Sequence, residues 1–192
     1  VPEHQKLKDT LANIPKNDMS DEEYMSNFKA GQQNRQGGIH NALAKSVLSP
    51  TQITHLIDHG NEGSMHDIAN RKDLSDIHIQ QLANTSNMIV HHHLLSNPEI
   101  SNDNFNTIVK KAHPENVPKI IGHAKFNETH IDNVLNKKIS KADLTPILHR
   151  FPDKLEPHHI SAIIDKGDND THRILVNRLH NKLNSTHISS LI

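Results

Sequence analysis

One six-residue pattern recurs along the 192-residue chain and limits its fold more than any other feature. It stands at Leu48-Ser-Pro-Thr-Gln-Ile53, Leu74-Ser-Asp-Ile-His-Ile79, Ile100-Ser-Asn-Asp-Asn-Phe105, Phe126-Asn-Glu-Thr-His-Ile131, Leu155-Glu-Pro-His-His-Ile160 and Leu183-Asn-Ser-Thr-His-Ile188. Met19-Ser-Asp-Glu-Glu-Tyr24 is a seventh copy, and successive copies start 29, 26, 26, 26, 29 and 28 residues apart. A fixed period of this size implies stacked supersecondary units that share one core.

Each copy has the chemistry of a helix start. Ser20, Ser49, Ser75, Ser101, Asn127 and Asn184 occupy the N-cap, where a side-chain oxygen accepts from an unpaired N–H of the first turn. Glu156 is the weak exception. Pro50 and Pro157 fall at the first helical position, where no N–H is needed. The apolar pairs, such as Leu48–Ile53 and Phe126–Ile131, have the spacing of a hydrophobic staple. Three and four residues beyond each staple come further apolar pairs, among them Leu56 and Ile57, Ile108 and Val109, and Leu191 and Ile192. Together they form one narrow helical face.

A second apolar triplet follows about 17, 20 and 21 residues after each start, as Met65, Ile68 and Ala69 or Val117, Ile120 and Ile121. Polar or helix-breaking stretches such as Gly60-Asn-Glu-Gly63 and Gly167-Asp-Asn-Asp170 separate the two. Each unit therefore reads as helix, turn, helix. Helices of roughly ten residues cannot bury their stripe alone, so the expected fold is all-α, an α-solenoid of about seven 26–29-residue repeats. A compact helical bundle is the alternative. The polar stretch Gly31–Gly38 reads as an inserted loop. Residues 1–18, with Leu7, Leu11 and Ile14, read as the second helix of a preceding partial repeat, and 19–192 as the array. Both ends fall inside a repeat, which predicts a segment of a longer chain.

The recurring Leu-Ser-x-x-His-Ile, its second helix and the return stretch Leu95-Ser-Asn-Pro-Glu-Ile100 resemble the short HEAT-like, leucine-rich-variant class of helical repeats in bacterial and bacteriophage proteins. The likeness covers about residues 19–192. It implies a right-handed superhelix serving as a scaffold or binding surface, with no shared catalytic residues. Members of that class with an iron–sulfur cluster hold it through cysteines, and this chain has none, so no cofactor is expected.

Composition narrows the function classes further. Leu, Ile, Val and Phe make up about a quarter of the residues, above the roughly one-fifth level that marks disorder. Aromatic residues are only 3%, so aliphatic side chains must carry the packing. Twenty-one basic against 22 acidic residues give no bulk attraction to nucleic acid or anionic lipid. Without Cys there is no disulfide, thiolate metal site or thiol nucleophile. No signal peptide is apparent, and apolar runs such as Leu94–Leu95 fall far short of the about 20 residues a membrane span needs. No phosphate loop or Gly-x-Ser-x-Gly elbow is present, so an enzyme is not expected.

Histidine is the anomaly, at 18 residues. His78, His130, His159 and His187 share the third helical position, where Glu23, Gln52 and Asn104 stand in the other copies. That is the capping-box slot, whose side chain reaches back to the N-cap N–H, and a neutral imidazole can accept there. His55 and His59 have the i,i+4 spacing of a two-histidine metal pair but lack further ligand signals, so they are weak metal candidates. His91-His92-His93 reads as the opening of a second helix, its rings pointing to different sides. Protonating all 18 would move the formal charge from −1 to +17, a route to pH sensing, although solvated histidines without consequence are the preferred reading. Basic clusters such as Lys137-Lys138 read as solvated faces.

The expected function is a non-catalytic structural or protein-interaction module, with another protein or further copies of itself as partner and a bacteriophage particle as one setting. The competing reading is nucleic-acid contact through a second-helix row containing Lys110, Lys111, Arg173 and Arg178.

Overall fold

The computed structural model describes residues 18–33 and 37–192, together with 8, 9 and 12. The Leu7, Leu11 and Ile14 stripe lies outside the described residues. Every copy of the pattern starts a helix: α1 (Asp21–Gln33), α3 (Pro50–His59), α5 (Asp76–Ala83), α7 (Asn102–Lys111), α9 (Ile131–Leu135), α11 (Pro157–Lys166) and α13 (Ser185–Ser190). Between them lie α2 (Gly37–Ala44), α4 (Glu62–Ala69), α6 (Met88–Leu94), α8 (Val117–Gly122), α10 (Thr145–Arg150) and α12 (Asn169–Leu179). Among the described residues there is no strand, only an isolated bridge between Ala142 and Gly167, so the fold is all-α.

The N-caps form as their residue types dictate. The Ser20, Ser49, Ser75 and Ser101 hydroxyls accept from the N–H groups of Glu23, Gln52, His78 and Asn104 at 3.2, 3.2, 3.4 and 3.3 Å. Asn184 accepts from His187 at 2.9 Å, and Asn127 from Thr129 at 3.0 Å, where a 3-10 turn, Glu128–His130, leads into α9. Pro50 and Pro157 are the first residues of α3 and α11.

Contacts divide the chain into two compact units, Val1–Thr85 and Ser86–Ile192. In the first, α2 packs on α1 and α4, and α3 packs on α4 and α5. Tyr24, Phe28, Ile39, Leu43, Leu56 and Ile68 are buried there. In the second, first helices meet first helices (α7 with α9, α9 with α11, α11 with α13) and second meet second (α8 with α10, α10 with α12). Phe105, Ile108, Ile120, Phe126, Ile147 and Ile163 fill that core. Like stacks on like, one repeat at a time. No described helix is long and apolar enough to cross a membrane.

The turn inside a repeat is tight at Gly60 and Gly167, which occupy the same place in their copies, twelve residues after the opening apolar residue. A Cβ on Gly60 would lie 2.3 Å from the Leu56 carbonyl oxygen and 2.4 Å from Ser64 Oγ; on Gly167, 2.7 Å from the Ile163 carbonyl oxygen and from Thr171 Cγ2. Glycine lets the second helix start against the end of the first.

Three expectations are corrected. The Gly31–Gly38 stretch is not simply a loop: Gly31–Gln33 end α1, and Gly37 and Gly38 begin α2. Second, His91–His93 form the last turn of α6 rather than its opening, because Asn87 caps the helix by accepting from Ile89 and Val90 at 2.9 and 3.0 Å. Third, α13 ends at Ser190, so Leu191 and Ile192 do not continue its face, and the staple residue Ile188 is exposed.

Ile120 is fully buried, whereas Ile77 on α5 is 67% exposed. Ile120→Ala should therefore lower stability by about 2–5 kcal/mol, while Ile77→Ala should stay within about 0.5 kcal/mol of the native protein, both read by urea unfolding.

Candidate functional site

The N-cap residue of a helix has its own N–H outside the helical ladder. In four repeats an imidazole takes it: Nδ1 of His78, His130, His159 and His187 accepts from the N–H of Ser75, Asn127, Glu156 and Asn184 at 3.3, 3.0, 3.1 and 3.3 Å. An Nδ1 that accepts carries no proton, so in the neutral ring the proton sits on Nε2 and must be donated elsewhere. Each Nε2 lies against the preceding repeat. The partners are the Pro50 carbonyl (3.1 Å), Asn106 Oδ1 (2.7 Å), Asp132 Oδ1 (3.0 Å) and Ser161 Oγ (3.1 Å). One ring thus caps its own helix and ties it to the one before.

Gln52 does the same with an amide. Its Oε1 accepts from the Ser49 N–H at 3.1 Å, and its Nε2 donates to the Met19 carbonyl at 2.9 Å and to Asp21 Oδ1 at 2.8 Å. His123 repeats the arrangement outside the capping slot, accepting from the Lys125 N–H at 3.2 Å and donating to the Asn97 carbonyl at 3.4 Å. Burial holds the pKa values of His123 and His130 below the ordinary imidazole range.

A second set of ties runs from basic side chains to carbonyls of the preceding repeat. Between second helices, Arg71 donates to the Ala44 and Ser46 carbonyls at 2.8 and 2.7 Å, and Lys119 to that of His92 at 2.8 Å. Arg150 donates to the Ile121 carbonyl at 2.8 Å and also to the carbonyl of Phe126, which opens its own repeat, and Lys182 donates to the Pro152 carbonyl at 2.9 Å. Between first helices, Lys137 donates to the Ala112 carbonyl at 2.8 Å and Lys166 to that of Lys137 at 3.0 Å. Helix C-termini are where a cation is favoured. Lys137 is accordingly half-buried rather than part of a solvated face, and desolvation lowers its pKa and that of Lys119.

The four basic residues expected in one second-helix row lie on helices of both kinds. Lys110 and Lys111 end α7, a first helix that runs unbroken to the Ala112-His113-Pro114 stop, whereas Arg173 and Arg178 lie on α12, a second helix. All four are exposed, and Arg173 pairs with Asp170 at 2.9 Å. His55 and His59 do come together, with ring centroids 4.7 Å apart. His55 is built into an aromatic cluster: Nδ1 lies 2.9 Å from the Tyr24 hydroxyl, and the ring stands edge-on to Phe28 at 4.6 Å. Burial, then the charge of His59, lowers the His55 pKa. Among the described residues no third His, Asp or Glu donor joins this pair.

Ser161 and His187 line a surface depression with Ile164, Asp165, Thr186 and Ser190. Their 3.1 Å separation is that of a nucleophile–base dyad. The tautomer runs the other way: Nδ1 is occupied as an acceptor, so Nε2–H donates to Ser161 Oγ, which itself donates to the Pro157 carbonyl at 3.1 Å. In this arrangement the ring withdraws no proton from the serine.

The capping slot was legible in sequence, but the second bond of each ring was not. A signal for it exists: Asn106, Asp132 and Ser161 all stand six residues after the opening apolar residue of the preceding copy. No protein-family model matches the chain, and comparisons with curated proteins and with solved structures found no match.

A protonated ring cannot accept at Nδ1, and a positive charge at a helix N-terminus is disfavoured. Because the folded-state pKa values of His123 and His130 are depressed, their contribution to stability is fully present above the unfolded value, about 6.5, and is lost as pH falls from there through the folded values. The thermal midpoint should therefore drop between pH 7 and 5. His130→Gln, copying Gln52, should keep the pH 7.5 midpoint close to native and reduce that drop, whereas His130→Ala should cost about 1–2 kcal/mol at pH 7.5.

Proposed function

We propose that the chain is a non-catalytic scaffold, a right-handed α-solenoid of about seven repeats of the HEAT-like class, that presents its exposed helix faces to another protein or to further copies of itself. The observation that carries this reading is the repetition of the ties. Polar side chains that could do chemistry, the capping histidines and the half-buried cations, are engaged in joining one repeat to the previous one at a similar offset in both helix rows. Such nearest-neighbour bonding suits a modular array in which each repeat contacts only its neighbours. The resemblance supplies the handedness and suggests a bacteriophage particle as a setting.

Modularity is tested by excising one period, residues 100–125, so that Glu99 joins Phe126 in register. A solenoid keeps its mean residue helicity and a cooperative melt after this deletion; a bundle, in which these residues would serve a single shared core, loses both. The partner class is tested by salt. A protein partner, or self-association, should bind with fixed stoichiometry and change little between 50 and 200 mM salt. Binding to DNA or RNA that falls by orders of magnitude over that range would instead support nucleic-acid contact through Lys110, Lys111, Arg173 and Arg178.

A further inference from the structure

The sixth repeat departs from the pattern in ways that capping does not require. Its N-cap is Glu156 where the others have Ser or Asn, and the residue before its capping histidine is His158 where the others have Glu22, Thr51, Ile77, Asp103, Thr129 and Thr186. The residue it faces in the fifth repeat, Asp132, is the one carboxylate at a position that elsewhere holds Met25, Thr54, Gln80, Asn106, Ser161 and Ser189. These departures converge on one spot. Asp132 Oδ1 lies 3.2 Å from His158 Nε2 and 3.0 Å from His159 Nε2, and the three donor atoms all fall within 4.8 Å of one another.

We propose that Asp132, His158 and His159 form a binding site for a divalent transition metal, zinc by preference, at the seam between the fifth and sixth repeats. Ligands about 2.0–2.1 Å from a tetrahedral zinc stand roughly 3.3 Å apart, close to the two oxygen–nitrogen separations seen. Two imidazoles and one carboxylate suit zinc rather than calcium or magnesium, which prefer all-oxygen shells. One carboxylate also fits the outer shell. When His158 ligates through Nε2 its proton moves to Nδ1, which lies 3.5 Å from Glu156 Oε2, the carboxylate orienting a ligand histidine.

His159 is the conditional ligand. Its Nδ1 accepts the Glu156 N–H, and ligation through Nε2 places a proton there, so the ion and the helix cap compete for this ring. Asp132 and His158 carry the binding, His159 completes it, and water fills the remaining position. Binding of the ion therefore loosens the start of α11.

The test is a zinc titration of the full chain by calorimetry at pH 7.5, with cobalt(II) as a spectroscopic probe of tetrahedral coordination. The variants are His158→Gln and Asp132→Asn. His158 and Asp132 are exposed, and Asn retains an acceptor for His159, so both variants should melt like the native chain. One zinc site is expected, weakened about tenfold or more by either variant, unchanged by His59→Ala, and accompanied by faster amide exchange at Glu156. Absence of zinc uptake, or uptake that His158→Gln or Asp132→Asn weakens less than tenfold, would mean adventitious binding to the many other histidines and would overturn the proposal.

Discussion

Everything in this fold depends on one backbone N–H, that of the N-cap residue, and on the side chain three positions later that takes it. The helices are short, from 5 residues in α9 to 13 in α1, and helices of that length are not stable alone in water. A side chain that accepts on one end and donates on the other fixes the helix start and its neighbour together. Neutral imidazole with its proton on Nε2 is such a side chain, as is the glutamine amide. Protonated imidazole is not, since it donates at both nitrogens. This geometry accounts for five of the 18 histidines: His78, His130, His159 and His187 in the capping slot, and His123 outside it.

At the opposite ends of the helices the same logic runs with inverted sign. Unpaired carbonyls of one repeat meet Lys or Arg side chains from the next, as at Ala112 and Lys137 or Ala44 and Arg71. Hydrogen bonds to a charged group are each worth more than neutral ones. They supplement a core in which the apolar content is low and aromatic residues are few, so that specificity of stacking rests on polar ties as well as on Leu and Ile burial. The near balance of basic and acidic residues coexists with this use of cations, because the bonds that join repeats go to backbone carbonyls, even where Arg71 also pairs with Asp73 of its own repeat.

Repeat spacing, N-caps, the prolines at first helical positions and the buried faces were legible in the sequence because each is a local property with a fixed offset. The capping role of His78, His130, His159 and His187 was legible for the same reason. Their second bonds were not, since Nε2 meets residues 24–28 positions earlier, across a fold that local spacing does not describe. Lys137 and Lys182 look like surface charge in sequence and reach back to carbonyls in space. Lys110 and Lys111 end a first helix, α7, directly before the Ala112-His113-Pro114 break, so they do not belong to the second-helix row that holds Arg173 and Arg178. The Asp132, His158 and His159 cluster joins two repeats, while the pair chosen by spacing, His55 and His59, sits partly in an aromatic cluster beside Tyr24 and Phe28.

The measurement that bears most directly on this account is the tautomer of the capping rings, read by long-range proton–nitrogen NMR of ring-labelled histidine at pH 7.5. The account predicts that His78, His130, His159 and His187 are neutral, with the proton on Nε2 and an accepting Nδ1. Finding these rings as imidazolium, or with the proton on Nδ1, would contradict it, because no bond to the N-cap N–H could then exist.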